Sequence, residues 1–144
     1  MNRELQLVKH FNLEPGDRLI IPKSLLGLVQ HHALYLGYNN LGAHLICENV
    51  FGVGVKLTRV EDFFQDVKSV TRLEKFQGNN FERRQIVQKA LTKLGKPYSL
   101  INYNCESFCN DIQHNVIRSP QVSAGLLIGF VGLVFALSNS NYGK

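Results

Sequence analysis

Tyr103-Asn104-Cys105-Glu106-Ser107-Phe108-Cys109-Asn110-Asp111-Ile112 is the stretch on which the fold turns, because Cys105, Phe108, Cys109 and Ile112 recur at helical spacing. Asn104 is a good N-cap, so the spacing predicts a helix from Cys105 to about Val116 with Cys105 in its first turn. A thiol placed there meets unpaired backbone N–H groups and the positive end of the helix dipole, which favour the thiolate. The same N–H groups would then serve an oxyanion. Upstream, Gln30-His31-His32-Ala33-Leu34-Tyr35-Leu36-Gly37 reads as a strand, and His44 follows on the next one. On a strand neighbouring side chains point to opposite faces, so only one of His31 and His32 can serve a site shared with Cys105. His44, across the hairpin, is expected to orient His31.

Strand signals fill the first half of the chain. A short helix over Glu4 to Phe11 is followed by the turn Glu14-Pro15-Gly16-Asp17 and a strand over Arg18 to Pro22. His31 to Gly37 and Ala43 to Val50 form a hairpin about Tyr38-Asn39-Asn40-Leu41-Gly42. Phe51 to Leu57 alternates as another strand, and Ser69 to Leu73 as one more. From Phe81 the period becomes helical through Val87, Ala90, Leu91 and Leu94, with Asn79 or Asn80 as cap and Gly95 with Pro97 as the stop. The expectation is an α+β fold, an antiparallel sheet packed with helices.

At 144 residues, 44% apolar and 19% charged, the chain has room for one domain with a real core. Its net charge of +5 favours anionic partners such as acidic lipid or nucleic acid. Nucleic acid is not expected, since Arg83, Arg84, Lys89, Lys93 and Lys96 read as the solvated side of one amphipathic helix. The phenylalanines, moreover, lie within apolar patterns rather than forming a base-stacking platform. Three cysteines are an odd number, and Met1-Asn2-Arg3-Glu4-Leu5 lacks the apolar core of a secretory signal. Both features lead to the expectation of a reducing, cytoplasmic setting in which Cys47 and Cys109 are buried small hydrophobes and Cys105 is free to react. No zinc site is expected, because Cys105 and Cys109 lack Cys-x-x-Cys spacing. No cofactor is expected either.

Taken together, Pro15-Gly16-Asp17, His31-x-Ala33-Leu34-Tyr35-Leu36-Gly37, His44, Gly95 through Tyr98, and Asn104-Cys105-Glu106-x-Phe108 resemble the lecithin:retinol acyltransferase family. The resemblance covers roughly residues 13 to 118 and implies a circularly permuted papain-like domain of the NlpC-type superfamily. It also implies Cys105 as nucleophile, His31 rather than His32 as general base, and His44 as the third catalytic member. Its implied chemistry is that of a thiol-dependent acyltransferase or phospholipase on acyl esters of membrane phospholipid or a related ester. Ser107 stands where family members commonly carry His, and the interval from His31 to His44 is about one residue longer than usual. A peptidase or amidase of the same superfamily and a catalytically idle membrane-bound interaction module are the alternatives.

Residues 1–118 are thus read as the catalytic domain and 119–144 as a hydrophobic segment with a short polar tail. Val122 to Leu137 is sixteen residues without a charge. At about 1.5 Å per residue it would reach roughly 24 Å, marginal for a ~30 Å hydrocarbon core. It contains the small-residue spacing Gly125-x-x-x-Gly129, and the resemblance favours a membrane anchor over a buried helix.

Overall fold

A computed structural model describes residues 2–23 and 28–127. The described elements run α1 (Arg3–His10), β1 (Arg18–Pro22), β2 (Gln30–Tyr38), β3 (His44–Val50), β4 (Gly54–Arg59), α2 (Val60–Phe63), β5 (Arg72–Glu74), α3 (Asn80–Thr92) and α4 (Cys105–His114). The strands form one antiparallel five-stranded sheet in the order β4-β3-β2-β1-β5. The α+β class read from the periodicities is therefore observed.

Because side chains alternate along a strand, the central strands feed two cores. Leu34, Leu36 and Cys47 pack on one face against Ile86 and Ala90 of α3 and Phe108, Cys109 and Ile112 of α4. Ala33, Tyr35 and Ile46 pack on the other against Val60 and Phe63 of α2, Phe64 and the flank of α1. His31 lies at the start of β2 in the Ala33–Tyr35 series, whereas His32 belongs to the series beneath α4.

Four expectations are corrected here. Residues 51–53 are a turn rather than the start of a strand, with Gly52 and Gly54 both at positive φ. Gly54 is required sterically, since a Cβ there would sit 2.5 Å from the Lys96 carbonyl oxygen, and this close approach brings the 95–98 loop to the end of β4. Val116 lies beyond α4, which Asn115 ends in a left-handed conformation at φ 56°. α2, a single turn, was not expected. Finally, the basic face of α3 is partly structural, because Arg83 donates to Asp17, Pro15 O and Phe76 O while Lys89 and Lys93 pair with Asp111.

Asp17 is fully buried and accepts from Lys75 at 2.8 Å, Arg83 at 3.0 Å, Glu14 N at 2.9 Å and Phe76 N at 3.1 Å. These bonds fasten the turn before β1 to the segment leading into α3. Burial opposes its charge, but the lysine, the guanidinium and the backbone donors outweigh that and hold its carboxyl below the usual range.

Most of the expected C-terminal segment Val122 to Leu137 lies outside the described residues. Residues 120–127 are helical, with Leu126 and Leu127 exposed. No helix among the described residues is long and apolar enough to cross a membrane. The root of this last helix is fixed to the domain. Glu106 accepts from Ser119 Oγ at 2.6 Å and from Gln121 N at 3.2 Å, and Gln121 Oε1 accepts from Gln30 N at 3.1 Å.

Candidate active site

Asn104 caps α4 as its sequence predicts, and the cap is nearly exhaustive. Asn104 Oδ1 accepts from Glu106 N and Ser107 N, both at 3.0 Å, while Asn104 N donates to Ser107 Oγ at 2.7 Å. Ser107, at the position where a histidine was noted as commoner, thus completes a capping box. Three of the four N–H groups that open a helix are consumed in this way. The N–H of Cys105 itself is the one left without an acceptor among the described residues, so the expectation of several free first-turn donors narrows to this single group.

The cap sets Cys105 against the first residues of β2. Its Sγ lies 3.8 Å from the Gln30 carbonyl oxygen, the backbone N–H of His32 is directed at it, and the imidazole of His31 lies within hydrogen-bonding reach. His31 Nε2 is 2.7 Å from Glu48 Oε2. That contact requires a proton on Nε2, and it leaves Nδ1, which is buried and otherwise without a partner, for the thiol. Glu48 is fixed in turn by Thr58 Oγ1, which donates at 2.5 Å, and by Lys56 Nζ at 3.7 Å.

The electrostatics of the three groups support one another. Burial raises the thiol pKa of Cys105, but hydrogen bonding to and the charge of His31, with help from Lys23, outweigh it and leave the thiol below its usual value. Burial depresses His31, and Cys105 and Glu48 together more than reverse that. Glu48 is penalised by burial yet ends below the usual carboxylate range because His31, Thr58 and Lys56 stabilise its charge. The arrangement favours thiolate and imidazolium over thiol and imidazole.

The other histidines lie elsewhere. His32 is buried beneath α4, where Arg18 Nε donates to its Nδ1 at 2.9 Å. Burial and that guanidinium push its pKa down to about 4, so it is a neutral acceptor. His44, expected as the orienting member, is not brought to Cys105 and His31. His44 begins β3 just after the hairpin turn, opposite Tyr38 with a one-residue bulge between Tyr35 and Gly37, whereas Glu48 pairs with Ala33. Four strand residues, about 13 Å at ~3.3 Å each, separate His44 from Glu48. His44 Nδ1 instead meets Tyr35 OH at 2.7 Å, and its backbone N–H donates to the buried Glu4. Glu48 occupies the position sequence reasoning gave to His44. It was legible in principle, since a carboxylate inside the apolar strand Leu45-Ile46-Cys47-Glu48 needs a buried partner, and parity puts it on the face of His31.

His31 and Glu48 open onto a cleft of about 960 Å³ walled by Pro22, Lys23, Lys56, Phe63, Asp62 and Val67. Cys47 and Cys109 are fully buried with thiols pushed up by burial, Cys47 to about 12. No group of three or more His, Cys, Asp or Glu among the described residues is arranged to hold a metal ion.

Comparison with known proteins adds one match. The sequence model of the family described as lecithin retinol acyltransferase matches residues 11–118 of the 144-residue chain. Neither the curated proteins nor the solved structures contain a match.

Proposed function

The chain belongs to the lecithin retinol acyltransferase family, whose chemistry is of the acyltransferase and phospholipase kind, and from that premise we propose a cysteine-dependent acyl transfer from a lipid ester. The observation that carries the proposal is the buried His31, held through Nε2 by Glu48 and presenting Nδ1 to the thiol at the start of α4. In this reading Cys105 is the nucleophile, His31 the base and Glu48 the group that fixes its tautomer.

His31 Nδ1 takes the thiol proton, and the sulfur attacks the ester carbonyl. Charge that develops on the carbonyl oxygen meets the uncommitted N–H of Cys105. Collapse of the tetrahedral intermediate breaks the ester C–O bond, and His31 returns its proton to the departing lysolipid oxygen. A thioester on Cys105 remains. Water, or an amine or hydroxyl acceptor deprotonated by His31, then attacks the thioester and releases the thiol. Glu48 keeps Nε2 protonated throughout and offsets the imidazolium charge. General-base assistance of this kind is worth about 10² to 10⁴ in rate. The sixteen uncharged residues Val122 to Leu137 support membrane attachment as the setting for this reaction.

The test is an intact-mass measurement on the full chain exposed to phospholipid without acceptor. Wild-type protein should gain one acyl chain that neutral hydroxylamine removes, and Cys105→Ala should gain none. Turnover of lipid by wild-type protein with no trappable acyl group on Cys105 would refute the nucleophilic mechanism.

A further inference from the structure

Three described stretches of chain meet near the Cys105–His31 pair, and each carries apolar side chains that are largely exposed. Leu28, 78% exposed, precedes β2; Phe51 and Val53, 72% and 64% exposed, form the β3–β4 turn; Leu100 and Ile101, 63% and 61% exposed, tip the loop before α4. The topology places them at one end of the sheet. β2 starts beside the end of β1, with His31 opposite Ile21, and the Ala33–Glu48 register sets that start alongside the end of β3. Val50 pairs with Gly54 across the turn, the Tyr98 ring meets Phe51 edge-on at 5.6 Å, and the Ser99–Tyr103 bridge leads directly into Cys105.

Cations occupy the same end. Lys23 and Lys56 wall the cleft, and the Lys96 ammonium sits 3.3 Å from the centre of the Tyr103 ring. Asp62 and Asp66 line the same cleft. The 120–127 helix, tied at Gln121 to Gln30 N, also departs from here. Separate apolar tips at one end of the sheet, set among lysines on a chain of net charge +5, suit a fluid anionic surface. A helical or extended peptide would need a continuous groove instead.

We propose that this end of the catalytic domain is a docking face for a phospholipid bilayer carrying anionic headgroups. Leu28, Phe51, Val53, Leu100 and Ile101 enter the boundary between headgroups and acyl chains, and Lys23, Lys56 and Lys96 lie at the level of the phosphates. The face would let an acyl ester pass from the bilayer to Cys105 without crossing water, and in that purpose it rests on the acyl-transfer reading. It is distinct from anchorage by residues 122–137, because it sets the orientation of the domain on the surface.

The chain has no tryptophan, so a single introduced one reports position without background. Phe51→Trp, Ile101→Trp and, at the opposite end of the sheet, Leu41→Trp are made separately in full-length Cys105→Ala protein. Each is mixed with brominated phosphatidylcholine vesicles containing a minority of phosphatidylglycerol. Tryptophan at 51 and at 101 should shift to the blue and be quenched, while tryptophan at 41, a residue 92% exposed in the native chain, should not respond. The double change Phe51→Ser with Ile101→Ser should weaken the quenching of a Leu100→Trp reporter at least about tenfold in lipid concentration. Equal responses at 41 and at the rim, or no rim response in variants with native circular dichroism, would overturn the proposal. If Phe51→Trp does not fold, Leu100→Trp replaces it. Undiminished quenching by pure phosphatidylcholine would overturn the role given to the lysines. Docking by a chain whose wild-type form makes no thioester would count against the acyl-transfer reading alone, whereas thioester formation from a short soluble ester without docking would count against the face alone.

Discussion

Glu48→Gln separates the geometry of this site from the expectation that His44 orients the base. Glutamine is nearly isosteric and its amide oxygen can still accept from His31 Nε2, so tautomer and ring orientation survive while the negative charge is lost. Both partners are shielded from solvent, the His31 side chain being 7% and that of Glu48 9% exposed. A hydrogen bond to a charged group in such surroundings contributes about 1.5–3 kcal/mol. At ~1.4 kcal/mol per factor of ten, the rate of acylation should fall roughly 10- to 150-fold. Glu48→Ala, which also removes the acceptor, should be slower still. The pH profile carries the sign. Glu48 helps to raise the His31 pKa, so Glu48→Gln should lower it and move the alkaline limb, on which the imidazolium is lost, toward lower pH. The thiol is depressed chiefly by His31, so the acid limb should move toward higher pH as that imidazolium becomes scarcer. The assay is single-turnover acyl-enzyme formation by mass across pH, with thermal unfolding of each variant as the folding control. Should His44→Asn slow acylation more than Glu48→Gln in equally stable proteins, the assignment of Glu48 would be refuted.

Alkylation of native protein near neutral pH should modify Cys105 first and leave Cys47 and Cys109 intact until unfolding, because burial raises their thiols while His31 lowers that of Cys105; peptide mapping reads the order. Asp17→Asn should cost about 3–5 kcal/mol, read from the urea midpoint, since it leaves Arg83 and Lys75 facing a buried neutral amide. As the folded pKa of Asp17 is depressed, its contribution is present above the ordinary value of 3.8 and lost as pH falls through the folded one; the stability curves of the wild type and of Asp17→Asn should converge in acid, and parallel curves would contradict this. On the proposed anchorage by residues 122–137, truncation after Leu127 should keep the fold and leave only a peripheral, salt-sensitive attachment, measured by flotation. Truncation after Arg118 should lower the melting temperature as well, because it strips Ser119 and Gln121 from the carboxylate of Glu106.

Local chemistry made much of this readable from the sequence. β1 needed only the turn before it and an apolar run. α4 began where Asn104 said it would, and the parity of β2 separated His31 from His32. What depended on register was not readable. The hairpin turn sets His44 opposite Tyr38, seven residues along β2 from His31, and the one-residue bulge alters that pairing only from Gly37 to Tyr38. The turn at 51–53 was hidden by a sequence that alternates well, and only the contact of Gly54 with the Lys96 carbonyl shows why glycine stands there. Arg83 looked solvated because its partner, Asp17, is distant in sequence.

The start of α4 also shows how one element can carry both stability and chemistry without the two competing. A helix N-terminus that leaves all its N–H groups free would offer several donors to an anion, but it would leave them unsatisfied at a buried end, at about 1–3 kcal/mol for each. Asn104 resolves this by accepting from Glu106 and Ser107 while Ser107 accepts from Asn104 N, so the helix is capped independently of any substrate. The thiol precedes those two donors in the chain, and its own N–H projects outside the capping box. That is why stabilisation of the thiolate falls chiefly to His31, with the N–H of His32 and the charge of Lys23 contributing less. Since His31 is itself buried, its proton is held against desolvation by Cys105 and, with it, Glu48. The dependence therefore runs both ways between Cys105 and His31, with Glu48 supporting His31 from its other side, and the helix cap stands outside it.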